Sequence, residues 1–165
     1  MRITNKFILL NITFALSILI TSSFNTAYGH ETVEIKDVNI NGVPMLASID
    51  QLIKIKGKPT KVKKIEPDFD SGANIEYSFN NDVFGVNKNK KIVDFKIIEE
   101  NSFLLVKNRK VQIGSSVSTL KKYFPVSYKE YLKNHVFRIK FKNIDTYIVF
   151  TIEDNIIKVI ETWEE

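Results

Sequence analysis

The stretches SIDQLIK at residues 48–54 and SVSTLKK at residues 116–122 decide the fold of this chain, because they follow one pattern. Each has serine first, a β-branched apolar residue second, leucine fifth and lysine seventh. Ser48 and Ser116 are suited to cap a helix, and the apolar residues after them recur at helical spacing. Pro125 is expected to end the second helix. A recurrence of this kind indicates two similar halves.

Three predicted strands follow each helix. They alternate apolar and polar side chains or form apolar runs, which is typical of strands, and they are separated by turns rich in Asn and Asp. The predicted strands are residues 75–79, 83–86 and 92–97 in the first half, and residues 136–141, 147–152 and 156–160 in the second. Each half therefore consists of a short helix and a three-stranded meander.

Two further segments precede the helices. Residues 103–106 and 111–113 predict a hairpin that leads into the second helix, and residues 33–40 predict a lone strand before the first. The sequence as a whole predicts an α+β fold in which two tandem short-helix plus β-meander units, residues 30–100 and 101–165, form one antiparallel sheet with the helices packed on one face.

The repeat also predicts which residues form the core. Leu52 and Leu120 should be buried equivalents on the two helices, and Phe79 and Phe141 buried equivalents on the strands. Trp163, at the end of the last strand, has the parity of Ile157 and Val159, so we expect it to pack inward at the core or its rim.

Residues 1–29 have the pattern of a secretory signal peptide. Arg2 and Lys6 precede a run of 14 apolar and small residues, and Ala27 and Gly29 supply small side chains for cleavage. The run is too short, and too interrupted by polar residues, for a membrane-spanning helix. We therefore expect an exported protein, periplasmic or extracellular, that begins at His30 and has no integral membrane segment after cleavage.

Composition excludes several classes of function. The chain has no cysteine and two histidines, so a disulfide scaffold, a thiolate site and a multi-histidine metal site are not expected. The loop around Gly72 carries Asp68 and Asp70 but fails the spacing of a calcium loop. The net charge is +5, but the basic residues are scattered among acidic ones rather than concentrated in a stripe, which argues against binding to nucleic acid. We expect neither a metal nor a cofactor.

No catalytic set is evident. The serines lack a nucleophile elbow, and His135 is the single histidine inside the expected fold. A carboxylate pair of the glycosidase type stays open, because its spacing in space cannot be read from the sequence. We expect a protein that is not an enzyme, with no catalytic residue to assign.

Strand parity predicts a face that is open to a partner. If the apolar residues of each strand point to the core, the opposite face carries Lys96, Arg138, Lys140, Tyr147 and Lys158. Arginine and tyrosine suit protein interfaces. The basic character of this face predicts a protein partner with an acidic patch.

Residues 48–59 and 113–125, each followed by a meander, resemble the tandem-repeat family of small exported proteins typified by the β-lactamase-inhibitor protein. They are also similar to the single-unit lipoproteins that assist outer-membrane barrel assembly. The chain departs from both, because it has neither the disulfides of the inhibitor nor the lipidated cysteine of the lipoproteins. The resemblance implies binding to a protein rather than catalysis.

The expected function is therefore an exported, non-catalytic protein-binding module of the inhibitor or immunity type. An accessory factor of cell-envelope biogenesis is the first alternative, and a small secreted hydrolase is the second.

Overall fold

A computed structural model describes residues 29–66 and 72–164 of the chain. These residues form an α+β fold, as predicted. The strands are β1 (Thr32–Val33), β2 (Val38–Ile40), β3 (Val43–Pro44), β4 (Lys61–Lys64), β5 (Ile75–Phe79), β6 (Asp82–Val86), β7 (Ile92–Ile97), β8 (Phe103–Val106), β9 (Arg109–Gln112), β10 (Phe137–Phe141), β11 (Thr146–Glu153) and β12 (Ile156–Glu164). The helices are α1 (Ile49–Lys56), α2 (Val117–Tyr123) and α3 (Pro125–Asn134).

The larger sheet has eight strands in the order β1-β10-β11-β12-β7-β6-β5-β4. Both predicted meanders are present, as β5 to β7 and β10 to β12, and they join through an antiparallel contact between β12 and β7. The edge pair β1–β10 is parallel. The meanders thus form one continuous sheet with a seam between β7 and β12.

The expectation of one sheet for the whole chain was wrong. A second sheet of four strands has the order β3-β2-β8-β9. The predicted lone strand at residues 33–40 is β1, a 3-10 turn and β2, and β2 turns back into β3 through Asn41 and Gly42, both with positive φ. Two-residue turns of this kind match the twist of a hairpin. The predicted hairpin β8–β9 exists and pairs with β2 rather than with a meander.

The helices begin where the sequence predicts. The Ser48 hydroxyl accepts from the backbone N–H of Asp50, and the Ser116 hydroxyl accepts from that of Ser118, both at 3.2 Å. Pro125 ends α2, as expected, but it is also the first residue of α3, for which we made no prediction. Proline is favoured at this first position, because its missing N–H has no partner in a helix anyway.

Three long-range backbone hydrogen bonds connect the start of α1 to one hairpin of the large sheet, and three matching bonds connect the start of α2 to another. For α1 the bonds run from the N–H of Ile49 to Lys90 O, from Ile92 to Ala47 O and from Leu46 to Ile92 O. For α2 they run from the N–H of Val117 to Asn155 O, from Ile157 to Ser115 O and from Gly114 to Ile157 O. On the helix side, each residue of the second set follows its counterpart in the first set by the same number of positions, and on the strand side a second constant spacing holds. The corresponding residues Leu46 and Gly114 both have positive φ.

Both sheets and all three helices contribute to one apolar core. Leu52, Leu120, Phe79 and Phe141 are buried, which confirms their predicted placement inside. The largest fully buried side chains are Phe84, Phe95, Phe124, Phe137, Phe141, Ile40, Ile49, Leu52, Ile92, Ile97, Leu104 and Leu120.

The segment that follows the predicted signal peptide is fixed to the fold. Residues 1–28 of that peptide lie outside the described residues. Glu31 accepts through its carboxylate from the backbone N–H groups of Val126 and Ser127, at the start of α3. A carboxylate is stabilised there by the unpaired N–H groups and the dipole of the helix. The Ser127 hydroxyl in turn accepts from the N–H of Glu31 at 3.0 Å.

Candidate functional site

Strand register places four of the five predicted interface residues on one face of the large sheet. Arg138 lies opposite Val149, Val149 opposite Glu161, and Glu161 opposite Lys96, so these side chains form a row across four strands. Residues directly opposite each other project to the same face. In the next row, Lys140 lies opposite Tyr147. We call this surface the outer face.

Lys158, the fifth predicted interface residue, is not paired with a residue of β11. β12 carries a bulge, because Thr151 faces Val159 while the next residue, Ile152, faces Ile157. Lys158 is the extra residue between them. A bulge leaves one residue unpaired and reverses which side chains face inward beyond it.

Tyr147 is not an exposed interface residue. It is 5% exposed, because its neighbours cover the ring. The Arg138 guanidinium lies 4.8 Å from the ring centroid, the Lys140 ammonium 5.5 Å, and the His30 ring packs edge-on at 5.9 Å. Arg138 also donates to His30 Nε2 at 2.9 Å. This part of the predicted face instead holds the first described residues of the chain.

Lys96 and Lys140 are both paired within the fold. Lys96 contacts Glu161 at 2.9 Å, and Lys140 contacts Asp145 at 3.0 Å. The hydrogen bond to Asp145 is the main cause that raises the pKa of Lys140. The outer face is therefore a network of ion pairs and cation–π contacts, in which a partner's acidic groups would compete with existing ones.

A concave part of the described surface lies at the seam. β7 and β12 pair only through Ile97 with Ile160 and Lys96 with Glu161. Beyond that point the Thr162 hydroxyl, rather than a backbone carbonyl, accepts from the N–H of Phe95 at 3.0 Å. The strands separate there and open a cavity of about 540 Å³, which we call the seam cleft.

The seam cleft is lined mainly by apolar side chains. The lining residues are Ile35, Met45, Leu46, Ile65, Glu66, Gly72, Ala73, Val93, Asp94, Phe141, Ile144, Thr146, Thr162, Trp163 and Glu164. Apolar clefts with a few placed polar groups are the usual form of a binding site. This site was not predicted from the sequence, because it depends on the separation of two strands that are distant in sequence.

Trp163 stands at this cleft and is 58% exposed, which overturns the expectation that it packs inward. The bulge is the reason, since it puts Ile157 on the inner face and Val159, Glu161 and Trp163 on the outer one. Leu46 and Ile144 also line the cleft and are exposed. Three large apolar side chains thus meet water around one cavity, the arrangement that marks interaction sites.

Gly85 allows Ala73, which lines the cleft, to lie against the outer face. A Cβ atom at Gly85 would lie 2.7 Å from Ala73 Cβ and 2.8 Å from Asp94 Cβ, closer than real contacts permit. Glycine is therefore required at position 85 for Ala73 to lie this close to β6 and β7. Asp68 and Asp70, which failed the calcium spacing, lie outside the described residues.

Asp94 is a polar residue of the cleft whose pKa is raised. Its Oδ1 accepts from the Thr162 hydroxyl. Burial raises the pKa of Asp94 above its usual 3.8, and the charges of Glu161 and Glu76 raise it further, against the lowering effect of the hydrogen bonds from Thr162 and Phe95. A carboxyl group with reduced solvation in a cleft is typical of functional sites.

The raised pKa of Asp94 predicts a stability effect of the Asp94→Asn substitution. The folded chain holds this proton more tightly than the unfolded chain does, so the contribution of Asp94 is most favourable below pH 3.8 and is lost as pH rises through the folded-state pKa. We expect Asp94→Asn, which keeps the acceptor for Thr162, to raise the melting temperature at pH 7 and to leave it unchanged near pH 3. Circular dichroism melts at several pH values measure this.

Glu34→Gln is the control of opposite sign. The hydrogen bond and charge of Lys142, 2.9 Å away, lower the pKa of Glu34. Its stabilising contribution is present above its unfolded pKa and is lost as pH falls through the lowered one, so Glu34→Gln should reduce the melting temperature at pH 7 and not in acid. A pH-independent effect of Asp94→Asn would contradict the assignment.

A second polar cluster, formed by Lys56, Asp82 and Ser102, bears on the hydrolase alternative. Lys56 Nζ lies 3.2 Å from Ser102 Oγ, and serine beside lysine is one form of activated nucleophile. Here, however, the Ser102 hydroxyl donates to Asp82, and the Lys56 ammonium forms an ion pair with the same carboxylate. Ser102 is 2% exposed beside a shallow cavity of about 290 Å³. The three groups therefore satisfy one another within a single hydrogen-bonded cluster.

Within residues 29–66 and 72–164, no group of three or more His, Asp or Glu side chains is placed to hold a metal ion. No helix in the same described ranges has the length and apolarity needed to cross a membrane. No family model, curated protein or solved structure matches this chain. The seam cleft and the surface around it are therefore the candidate functional region of the described residues.

Proposed function

We propose that this protein is a non-catalytic protein-binding module, and that the seam cleft receives an anchor side chain of a partner protein, which buries apolar surface there. The exposure of Trp163, Leu46 and Ile144 around one cavity carries the proposal. Tryptophan is enriched among the residues that dominate binding energy, and such residues lie in pockets that partners fill. Covering these three side chains removes apolar area from water, which is favourable in proportion to the area.

The predicted outer face adjoins this anchor site. Trp163 lies directly opposite Tyr147 in the register, so the row that contains Lys140 and Tyr147 leads into the cleft. A partner seated in the cleft extends over this row. Lys96, Arg138 and Lys140 would then form the polar rim of the interface, and Lys96 and Lys140 would exchange their internal ion pairs for pairs with the partner. The acidic patch on the partner stays a prediction of the sequence.

We also propose that the chain consists of two tandem units, residues 30–100 and 101–165. The matching hydrogen bonds at the starts of α1 and α2 support this, as do the two hairpins of the small sheet. In this proposal the seam cleft lies between the units, which is a common place for binding sites. Export after cleavage of residues 1–29 belongs to the same proposal, as does the likeness to exported tandem-repeat inhibitors.

Site-specific photo-cross-linking tests the binding function. A benzophenone amino acid replaces Trp163 in the full chain, expressed in the cells that produce it. The matched position is Leu132 on α3, which is 60% exposed and does not line the cleft. We expect irradiation to give one discrete protein adduct from position 163 and none of that mass from position 132.

Two further variants show whether the adduct depends on the cleft. Leu46→Arg should abolish the adduct, because it puts a positive charge among the apolar lining residues, whereas Ile55→Arg at an exposed position of α1 should preserve it. Equal adducts from positions 163 and 132 would refute the proposal. An adduct of twice the chain mass would identify a second copy as the occupant and would refute a distinct partner.

A further inference from the structure

We propose that the anchor seated in the seam cleft is an arginine side chain of the partner protein. This inference rests on the proposed function and adds the chemistry of the occupant. Arginine combines an apolar stem, which suits the lining of the cleft, with a planar cation that stacks on aromatic rings and pairs with carboxylates.

The charges that line the cleft favour a cation. The charged lining residues are Glu66, Asp94 and Glu164, all acidic, although the whole chain carries a net charge of +5. Of the basic residues of the outer face, Arg138 and Lys140 lie on β10, beyond β11 and β12 from the opening, and Lys96 on β7 is paired with Glu161. A cationic group that enters the cleft therefore meets opposite charge, whereas an anionic group meets repulsion.

The register brings a carboxylate and an indole to the two sides of the opening. Beyond the pair Lys96 and Glu161, the next residues on the same face are Asp94 on β7 and Trp163 on β12. A guanidinium between them would lie against the indole face and donate to the carboxylate. Both interactions are strengthened where surrounding protein excludes water.

The surroundings of Asp94 leave it suited to this role. Thr162, on the neighbouring strand, donates to Oδ1 and orients the carboxyl group. The charges that act on Asp94 from the adjoining strands are Glu161 and Glu76, which oppose its ionisation, and Lys96 on its own strand is paired with Glu161. An incoming guanidinium would supply a positive charge to Asp94, on which these two neighbouring carboxylates act as like charges.

Trp163 is the single tryptophan of the chain, so its fluorescence reports on the cleft directly. The probes are three capped tripeptides, acetyl-Gly-Xaa-Gly-amide, with arginine, citrulline or norleucine in the middle. Citrulline is the neutral counterpart of arginine in size and shape, and norleucine supplies the apolar stem alone. We expect the arginine peptide to shift the emission of Trp163 saturably and to bind at least about tenfold more tightly than the citrulline peptide, with weaker binding at high salt.

Two variants of the full chain complete the test. Asp94→Asn should weaken binding of the arginine peptide by about tenfold or more and leave the norleucine peptide unaffected. Asp145→Asn, which removes an exposed acid outside the cleft, should leave both unchanged. Tighter or equal binding of citrulline or norleucine overturns the arginine anchor but leaves the proposed binding function standing. If no peptide shifts the emission at millimolar concentration, both proposals fail.

Discussion

Replacing Asp82 by alanine is expected to lower the free energy of unfolding by about 3–5 kcal/mol, because it breaks a buried ion pair and leaves the other charge behind. Asp82 is fully buried and lies at the start of β6. Its Oδ2 accepts from Lys56 Nζ and Ser102 Oγ, and its Oδ1 accepts from the backbone N–H of Ile98 at 2.8 Å. The backbone N–H of Glu99 donates to the same oxygen at 3.0 Å.

The cost is large because one carboxylate connects several parts of the fold. Lys56 is the last residue of α1, Ser102 precedes β8, and the backbone groups at Ile98 and Glu99 follow β7. Removing the acceptor leaves four donors to find other partners, and buried donors without partners are costly. A loss of this size is a large share of the stability of a typical domain, which is about 5–15 kcal/mol.

Urea unfolding followed by circular dichroism measures the effect. Asp145→Ala is the matched control, since Asp145 also pairs with a lysine but its side chain is 82% exposed, and exposed pairs contribute about 0–1 kcal/mol. The double variant Lys56→Met with Asp82→Leu should recover part of the loss, because it removes both charges together. A loss below about 1 kcal/mol for Asp82→Ala would show that water or rearrangement replaces the carboxylate.

The local features of the fold were predictable, because local chemistry determines them. Ser48 and Ser116 cap their helices, and strand alternation gives the two meanders. Asp154 and Asn155, with φ values of 51° and 62°, form the turn that their side chains favour. The turn at Asn41 and Gly42 carried an equally strong hairpin signal. Interpreting residues 33–40 as a lone strand overlooked it, and the small sheet was missed as a result.

The site was less predictable, because it depends on register and on contacts between distant segments. Side chains alternate between the two faces of a sheet only along an unbroken strand. The bulge in β12 therefore puts Trp163 on the opposite face from Ile157. Tyr147 was correctly placed on the outer face, but nothing in its own strand shows that His30 and Arg138 cover it. The separation of β7 from β12 has no signal in either strand alone.

The repeat aligns two leucines, one on α1 and one on α2. Leu52 on α1 and Leu120 on α2 are both fully buried. Truncating a buried leucine to alanine loses its transfer free energy and leaves a cavity, at a cost of about 2–5 kcal/mol. We expect Leu52→Ala and Leu120→Ala each to lower the free energy of unfolding by an amount in that range, measured by urea unfolding. Ile55→Ala, at a position of α1 that is 58% exposed, should change stability by less than about 0.5 kcal/mol.

The pair of leucines also tests whether the two units depend on each other. α1 and α2 are tied to different hairpins, but those hairpins share the seam between β7 and β12 and one apolar core. We therefore expect one cooperative transition in each variant, because a cavity in either unit weakens the sheet and core that both use. Two separate transitions in Leu120→Ala, with the first unit still folded, would contradict a shared core. Losses below about 0.5 kcal/mol in both variants would show that the repeat alignment does not identify core positions.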